Sequence, residues 1–138
     1  MLHSSELLFF LQEGGALLDQ VVTECAQQWD LTGSEARILL CLAAVPGLNT
    51  ARDIAKKCGM SKASVSGNVL KLTGRGLLQV ELDLRDRRFQ RLALTKDAQP
   101  IGESIRRRIH QLADRMLAPL SQEERGQLTE LLTRLHHN

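Results

Sequence analysis

Between Thr50 and Thr95 the chain reads TARDIAKKCGMSKASVSGNVLKLTGRGLLQVELDLRDRRFQRLALT, a stretch that few folds can accommodate. Thr50, three residues before Asp53, is a capping-box-like helix start in which Asp53 replaces the usual Glu. Ile54 and Ala55 supply apolar positions, and Gly59 after Cys58 is a helix stop. Ser61 can cap a second helix, Ser61–Leu72, whose Val65, Val69 and Leu72 fall at i, i+4 and i+7 on one buried stripe. The short turn between the two helices has the spacing of a helix-turn-helix. Gly74 and Gly76 end the second helix. Leu77–Leu82 and Arg88–Leu94 then predict strands around the charged loop Asp83–Arg87, although Phe89 and Arg91 interrupt the alternation. A helix-turn-helix followed by a basic hairpin is a winged helix.

Charge is distributed to match. Residues 50–95 carry ten Lys/Arg against four acids, residues 1–49 one against six, and residues 96–138 seven against six. The net charge of +2 therefore hides a polar chain whose positive charge is gathered on one module. Phosphate binding depends on such clustering more than on net charge, so double-stranded DNA is the expected partner.

The flanks read as helices. Ser5–Gln28 predicts a long first helix carrying Leu7, Leu8, Phe9, Phe10, Leu11, Leu17, Leu18, Val21, Val22 and Cys25. A helix apolar on more than one face needs more than one partner, which points to a dimer interface. Gly14-Gly15 should loosen or bend it. Ser34–Val45 predicts a second helix with Ile38, Leu39, Cys41 and Leu42 inward, where Cys41 acts as a small hydrophobe. After Thr95, which can cap, Ile101, Ile105, Ile109, Leu112 and Met116 form an amphipathic stripe of about five turns. Pro119 breaks it. Ser121-x-x-Glu124 is a capping box opening a last helix lined by Leu128, Leu131, Leu132 and Leu135.

Length and composition set the outer bounds. The chain has 138 residues, no Tyr and one Trp, so a single domain with a core of Leu, Ile, Val and Ala is expected. The fold class is mostly α with a small β-hairpin wing. No secretory signal is evident, Leu7–Leu11 is too short to span a membrane, and no membrane partner is expected. Cys25, Cys41 and Cys58 are odd in number and form no CxxC, which suits a reducing cytoplasm better than a disulfide scaffold. His3, His110, His136 and His137 make no ligand spacing, so no metal is expected. No nucleophile elbow, Gly-rich phosphate loop or paired-carboxylate arrangement is present, so the expectation is a non-enzyme without catalytic residues or cofactors.

Asp86-Arg87-Arg88, six residues, then Leu94-Thr95 resembles the wing of the multiple-antibiotic-resistance regulator (MarR) family. Asp83, Arg75-Gly76-Leu77-Leu78, Leu31-Thr32 and Pro119-Leu120-Ser121 fit the same pattern, so the resemblance covers essentially the whole chain. Three positions depart from it. Val80 stands where many members carry Arg, Gly67 where many carry a larger polar or basic residue, and Ala98 where Gly is common. The resemblance implies a homodimeric transcription regulator, expected here to be a repressor on a pseudo-palindromic operator, whose DNA binding a small ligand or an oxidant often lowers. It also implies a winged helix-turn-helix lobe over 34–95 and a helical dimerisation region from 1–33 and 96–138. A winged-helix adaptor that binds protein instead is the alternative. One branch of the resembled family senses peroxide through a first-helix Cys supported by tyrosine hydroxyls. With no Tyr and no cation near it in sequence, Cys25 is expected to be structural.

The recognition helix offers Ser61, Lys62, Ser64, Ser66, Gly67, Asn68 and Lys71. Ala63 and Gly67 point most directly outward, letting the backbone approach DNA, while the hydroxyls can donate to bases or phosphates. Asn68 can read adenine but lies nearer the buried side. Lys62 and Lys71 suit phosphates. In the wing, Arg85 and Arg87 suit a narrow minor groove, whereas Asp86 and Arg88 form a structural pair. Arg106-Arg107-Arg108 reads as a solvated face, with one of them available to an anionic effector or a partner's acid. An effector site is expected where the first, second and fifth helices meet, walled by Leu17–Val22 and Ile38–Leu42 with Arg37 or Arg106 among the rim candidates. Such a lining suits a small aromatic or aliphatic acid.

Overall fold

The computed structural model describes residues 3–86, 88 and 90–136. Its elements are α1 (Ser4–Trp29), α2 (Gly33–Ala44), α3 (Ala51–Cys58), α4 (Lys62–Gly74), β1 (Leu78–Leu82), β2 (Gln90–Leu94), a single 3-10 turn at Lys96–Ala98, α5 (Gln99–Leu117) and α6 (Gln122–His136). This is a helical fold with a two-stranded hairpin, as the sequence predicts, and each boundary has a local cause. The Thr32 hydroxyl accepts from the Glu35 N–H while the Glu35 carboxylate accepts from the Thr32 N–H, a closed capping box. Thr50 and Ser61 cap α3 and α4 by accepting from the N–H groups of Asp53 and Ser64. Gly59 ends α3 at φ 65°, a left-handed conformation that glycine adopts without a Cβ clash.

The core lies where α1, α2 and α5 meet the winged helix. Ile38, Leu39, Ile54, Val65, Leu72, Leu78 and Ile105 are the largest of its fully buried side chains. The α2–α5 packing is close. A Cβ on Gly102 of α5 would stand 2.9 Å from a Leu94 methyl and 3.6 Å from the Ala43 Cβ. The strands pair antiparallel with Leu78 opposite Leu94 and Glu81 opposite Arg91. A third segment joins them, because the Leu92 N–H donates to the Asn49 carbonyl at 2.7 Å, tying the α2–α3 connection to the wing.

Thr95 does not cap the fifth helix. Its hydroxyl donates to the Gly76 carbonyl at 2.6 Å, its N–H donates to Leu77, and the chain passes through the 3-10 turn before α5 begins. Gly14-Gly15 lies inside α1, which runs as one helix from Ser4 to Trp29. Cys41 is buried in the core as a small side chain, its sulfur facing that of Cys58 of α3 across Cα atoms 7.4 Å apart, a wider span than disulfides adopt. Cys25 is a free, buried thiol.

Two helical segments bury almost nothing. From Ser4 to Glu13 every residue of α1 is exposed, including Leu7, Leu8, Phe9, Phe10 and Leu11. Helix α6 has no buried residue and leaves Leu131, Leu132 and Leu135 in solvent.

Candidate nucleic-acid interface

The second helix of the helix-turn-helix, α4, is seated through Val65 and Leu72, both fully buried. That anchoring leaves Ser61, Lys62, Ser66, Gly67 and Lys71 exposed and Ser64 half-buried. Asn68 turns to its own helix, its Nδ2 donating to the Ser64 carbonyl at 2.8 Å and to the Ser64 hydroxyl at 3.5 Å. Its amide donor is thus engaged on α4 itself.

The wing is organised by Asp83. One carboxylate oxygen accepts from the N–H groups of Arg85 and Asp86, at 2.8 and 3.3 Å. The other accepts from Arg91 Nε and Nη2, at 3.1 and 2.8 Å. Arg91 also donates to Asn49 Oδ1 at 3.0 Å, so one guanidinium clamps the wing loop, β2 and the α2–α3 connection together. These donors hold the Asp83 carboxyl below its ordinary value, the Arg91 side chain contributing most. At the tip, Arg88 donates from Nε and Nη2 to both oxygens of Asp86, the expected structural pair. That pair lowers the Asp86 carboxyl and raises the Arg88 guanidinium. Arg85 remains exposed beside it. Arg87, the other arginine expected to meet DNA, lies outside the described residues, as does Phe89.

Internal pairing sorts the basic cluster. Arg75 donates to the carbonyls of Asp30 and Trp29, at 2.9 and 3.4 Å, and stands 3.7 Å from the buried Glu35 carboxylate. With Arg88 and Arg91 it serves the fold. Arg52, Lys56, Lys57, Lys62, Lys71 and Arg85 are exposed and show no ion pair among the described residues. Sequence reading missed the Asp83–Arg91–Asn49 cluster, and the signal was there: a charged residue in the middle of β2, out of step with the alternation.

One crevice, of about 390 Å³, lies between α1 and α2, with Asp19, Val22, Arg37 and Met60 among its lining. A second, of about 410 Å³, lies between α1 and α5, lined by Leu17, Val21, Leu112 and Met116 with Glu24, Arg108 and Arg115. Helix α2 does not contribute to the second, because Gly102 lets α5 close directly on it and Ile38–Cys41 are buried in the core. Arg37, on the first, pairs with Asp19, and Arg106 donates to the Ala43 carbonyl at 3.3 Å, so neither lines the second. The arginine run is not a uniformly solvated face either. Arg106 and Arg108 are half-buried and bonded inward, and only Arg107 is exposed. Arg108 stands 3.6 Å from Glu24 and also contacts Gln28. It is the cation beside Cys25 that the sequence does not reveal. Burial pushes the Cys25 thiol up, and Arg108 offsets this only in part.

A helix-turn-helix whose outer face carries small and polar residues around one exposed leucine, Leu70, joined to an arginine-tipped hairpin braced from within, is the architecture of a winged helix. Residues 29–88 match the model of the MarR family. Solved structures resemble it over nearly its full length. NadR in complex with 4-hydroxyphenylacetate shares 25% identity and covers 98% of this chain and 94% of its own, with a TM-score of 0.75. S. aureus MepR in its DNA-binding conformation shares 23% identity, with 98% coverage of both chains and a TM-score of 0.74. Bordetella bronchiseptica BpsR, whose DNA binding is regulated by 6-hydroxynicotinic acid, shares 24% identity, with 100% and 99% coverage and a TM-score of 0.63. No described helix is long and apolar enough to cross a membrane.

Proposed function

We propose that this chain is a cytoplasmic, homodimeric, sequence-specific double-stranded DNA-binding repressor whose operator affinity is modulated by a small organic acid. The observation that carries the DNA-binding reading is the sorting of its bases. Arg75, Arg88 and Arg91 are consumed by internal pairs, while Lys62 and Lys71 on α4 and Arg85 on the wing are exposed and show no ion pair among the described residues. An adaptor surface has no need of that arrangement. In this reading Ser61, Lys62 and Lys71 hold phosphates, Ser64, Ser66 and Gly67 face the major groove, and Arg85 with Arg87 reaches the minor groove.

Residues 34–95 form the DNA-reading lobe, and residues 1–33 with 96–138 form the dimerising region. Support for the dimer is the solvent-exposed apolar surface of α1 and α6, too large to be left in water by a stable monomer. A two-fold dimer sets two recognition helices roughly 34 Å apart, matching half-sites one DNA turn apart on a pseudo-palindrome.

In this reading the effector occupies the α1–α5 crevice. Its apolar walls suit the body of an aromatic acid, and Arg115 and Arg108 at its edge suit the carboxylate. NadR and BpsR are neighbours described with acids of this kind. Occupancy would bias the angle between the dimerising helices and the DNA-reading lobe. The test is selection from a random duplex library. A two-fold symmetric enriched site, released by millimolar hydroxybenzoate-type acids, is expected. Enrichment of no sequence would refute the DNA reading, and release by none of the acids would refute the effector reading.

A further inference from the structure

At 100° per residue the line on α4 directly opposite Val65 and Leu72 runs through Ala63, Gly67, Leu70 and Gly74. Three of these are alanine or glycine. Leu70 is the single large side chain on that line, and at 74% exposure it is the most exposed large hydrophobic of any helix among the described residues. One exposed leucine on a protein surface is ordinary. Its neighbours are what set this one apart. A Cβ on Gly67 or Gly74 would meet nothing within 4 Å, so packing within the chain does not require either glycine. Mid-helix glycine, as at Gly67, nonetheless weakens a helix relative to alanine, whereas Gly74 is the last residue of α4. The outer line is therefore pared to backbone on both sides of Leu70, leaving that side chain as the foremost feature when α4 approaches a partner.

Leucine cannot accept or donate a hydrogen bond, so it reads neither the polar base edges nor phosphates. Among groups exposed in the major groove, the C5-methyl of thymine is the one it matches. We propose that Leu70 is a specificity-determining residue that packs on a thymine methyl in each half-site, with Gly67 allowing the approach. The proposal rests on the reading that α4 enters the major groove.

The test pairs site selection with methyl deletion. Wild-type protein and the Leu70→Ala variant are each used to enrich sites from a random duplex library. Each thymine of the wild-type site is then replaced singly by deoxyuridine, which removes only the methyl. For the wild type, one thymine per half-site should be sensitive, its replacement weakening binding about three- to tenfold. Leu70→Ala should keep the wild-type melting temperature, bind the same site more weakly and be indifferent to that replacement. A Leu70→Gln variant should shift the selected base at the same position. Uracil substitution without effect at every position, or equal sensitivity in Leu70→Ala, would overturn the proposal while leaving the DNA reading intact. Enrichment of no site by the wild type would overturn both.

Discussion

Arg91 Nη2 donates to Asp83 Oδ2 at 2.8 Å, linking a β2 side chain to the loop that carries the wing tip. Because the same guanidinium reaches Asn49, the wing's position is referred to the α2–α3 connection and not only to its partner strand. Replacing Arg91 with Ala should leave the global fold nearly as stable, since the pair is partly solvated and such pairs contribute about 0–1 kcal/mol. DNA affinity should nevertheless fall about fivefold, because a loosened wing must be ordered on binding. Lys at this position should restore little, lacking the fork that serves Asp83 and Asn49 together. Unchanged affinity in Arg91→Ala, measured by fluorescence anisotropy, would remove the clamp from the account.

The same carboxylates give the wing a pH signature. Asp83 and Asp86 both sit below the ordinary Asp value of about 3.9. A lowered native value means that the unfolded or loosened form binds protons more readily. The stabilisation is therefore complete above about pH 4 and is lost as pH falls through the lower native values. Side-chain Nε–H resonances of Arg88 and Arg91 should stay sharp and shifted at pH 5 and collapse toward free-arginine positions below pH 4. Collapse between pH 5 and 7 would contradict the assignment.

Arg75 supports a prediction about stability alone. It satisfies two carbonyls at the end of α1 and faces the buried Glu35 carboxylate, which also closes the α2 capping box. Arg75→Ala should cost about 1–2 kcal/mol, because Glu35 then remains buried without its cation. Discounting for the arginine's partial exposure keeps the figure at the low end. The double variant Arg75→Ala/Glu35→Gln should recover part of the loss. Thermal melts showing equal stability for wild type and Arg75→Ala would show that the contact is idle.

The dimer reading makes a simple demand on the exposed apolar helices. Sedimentation at micromolar concentration should show a dimer, and charges placed at Phe9 or Leu132 should produce a monomer that keeps its helical circular dichroism. Both side chains are at least half exposed in the single chain, so their loss removes no core contact. A folded wild-type monomer would contradict it.

Much of this architecture can be read from the chain. The caps at Thr32, Thr50, Ser61 and Ser121 lie where short polar residues precede helical periodicity, and the Gly59 stop and the Asp86–Arg88 pair are local in sequence. What the chain conceals is non-local. Thr95 looks like a cap because nothing nearby in sequence announces the Gly76 carbonyl. Arg75, Arg91 and Arg108 look like members of charge runs, yet their partners lie at Asp30, Asn49 and Gln28. Leu70 was passed over because attention to polar side chains ignores an apolar group aimed outward.

The measurement closest to the central claim is the salt dependence of binding to the DNA immediately upstream of the protein's own gene, with a shuffled duplex as control. Wild type should prefer the upstream fragment by about a thousandfold or more, and its log affinity should fall linearly with log salt. Lys62→Ala/Lys71→Ala removes up to four phosphate contacts per dimer. At about 0.9 per contact, the slope should shrink by about three to four while the melting temperature holds. Equal affinity for both duplexes, or a slope unchanged by the double variant, would contradict the account of α4 as the element that this chain lays into DNA.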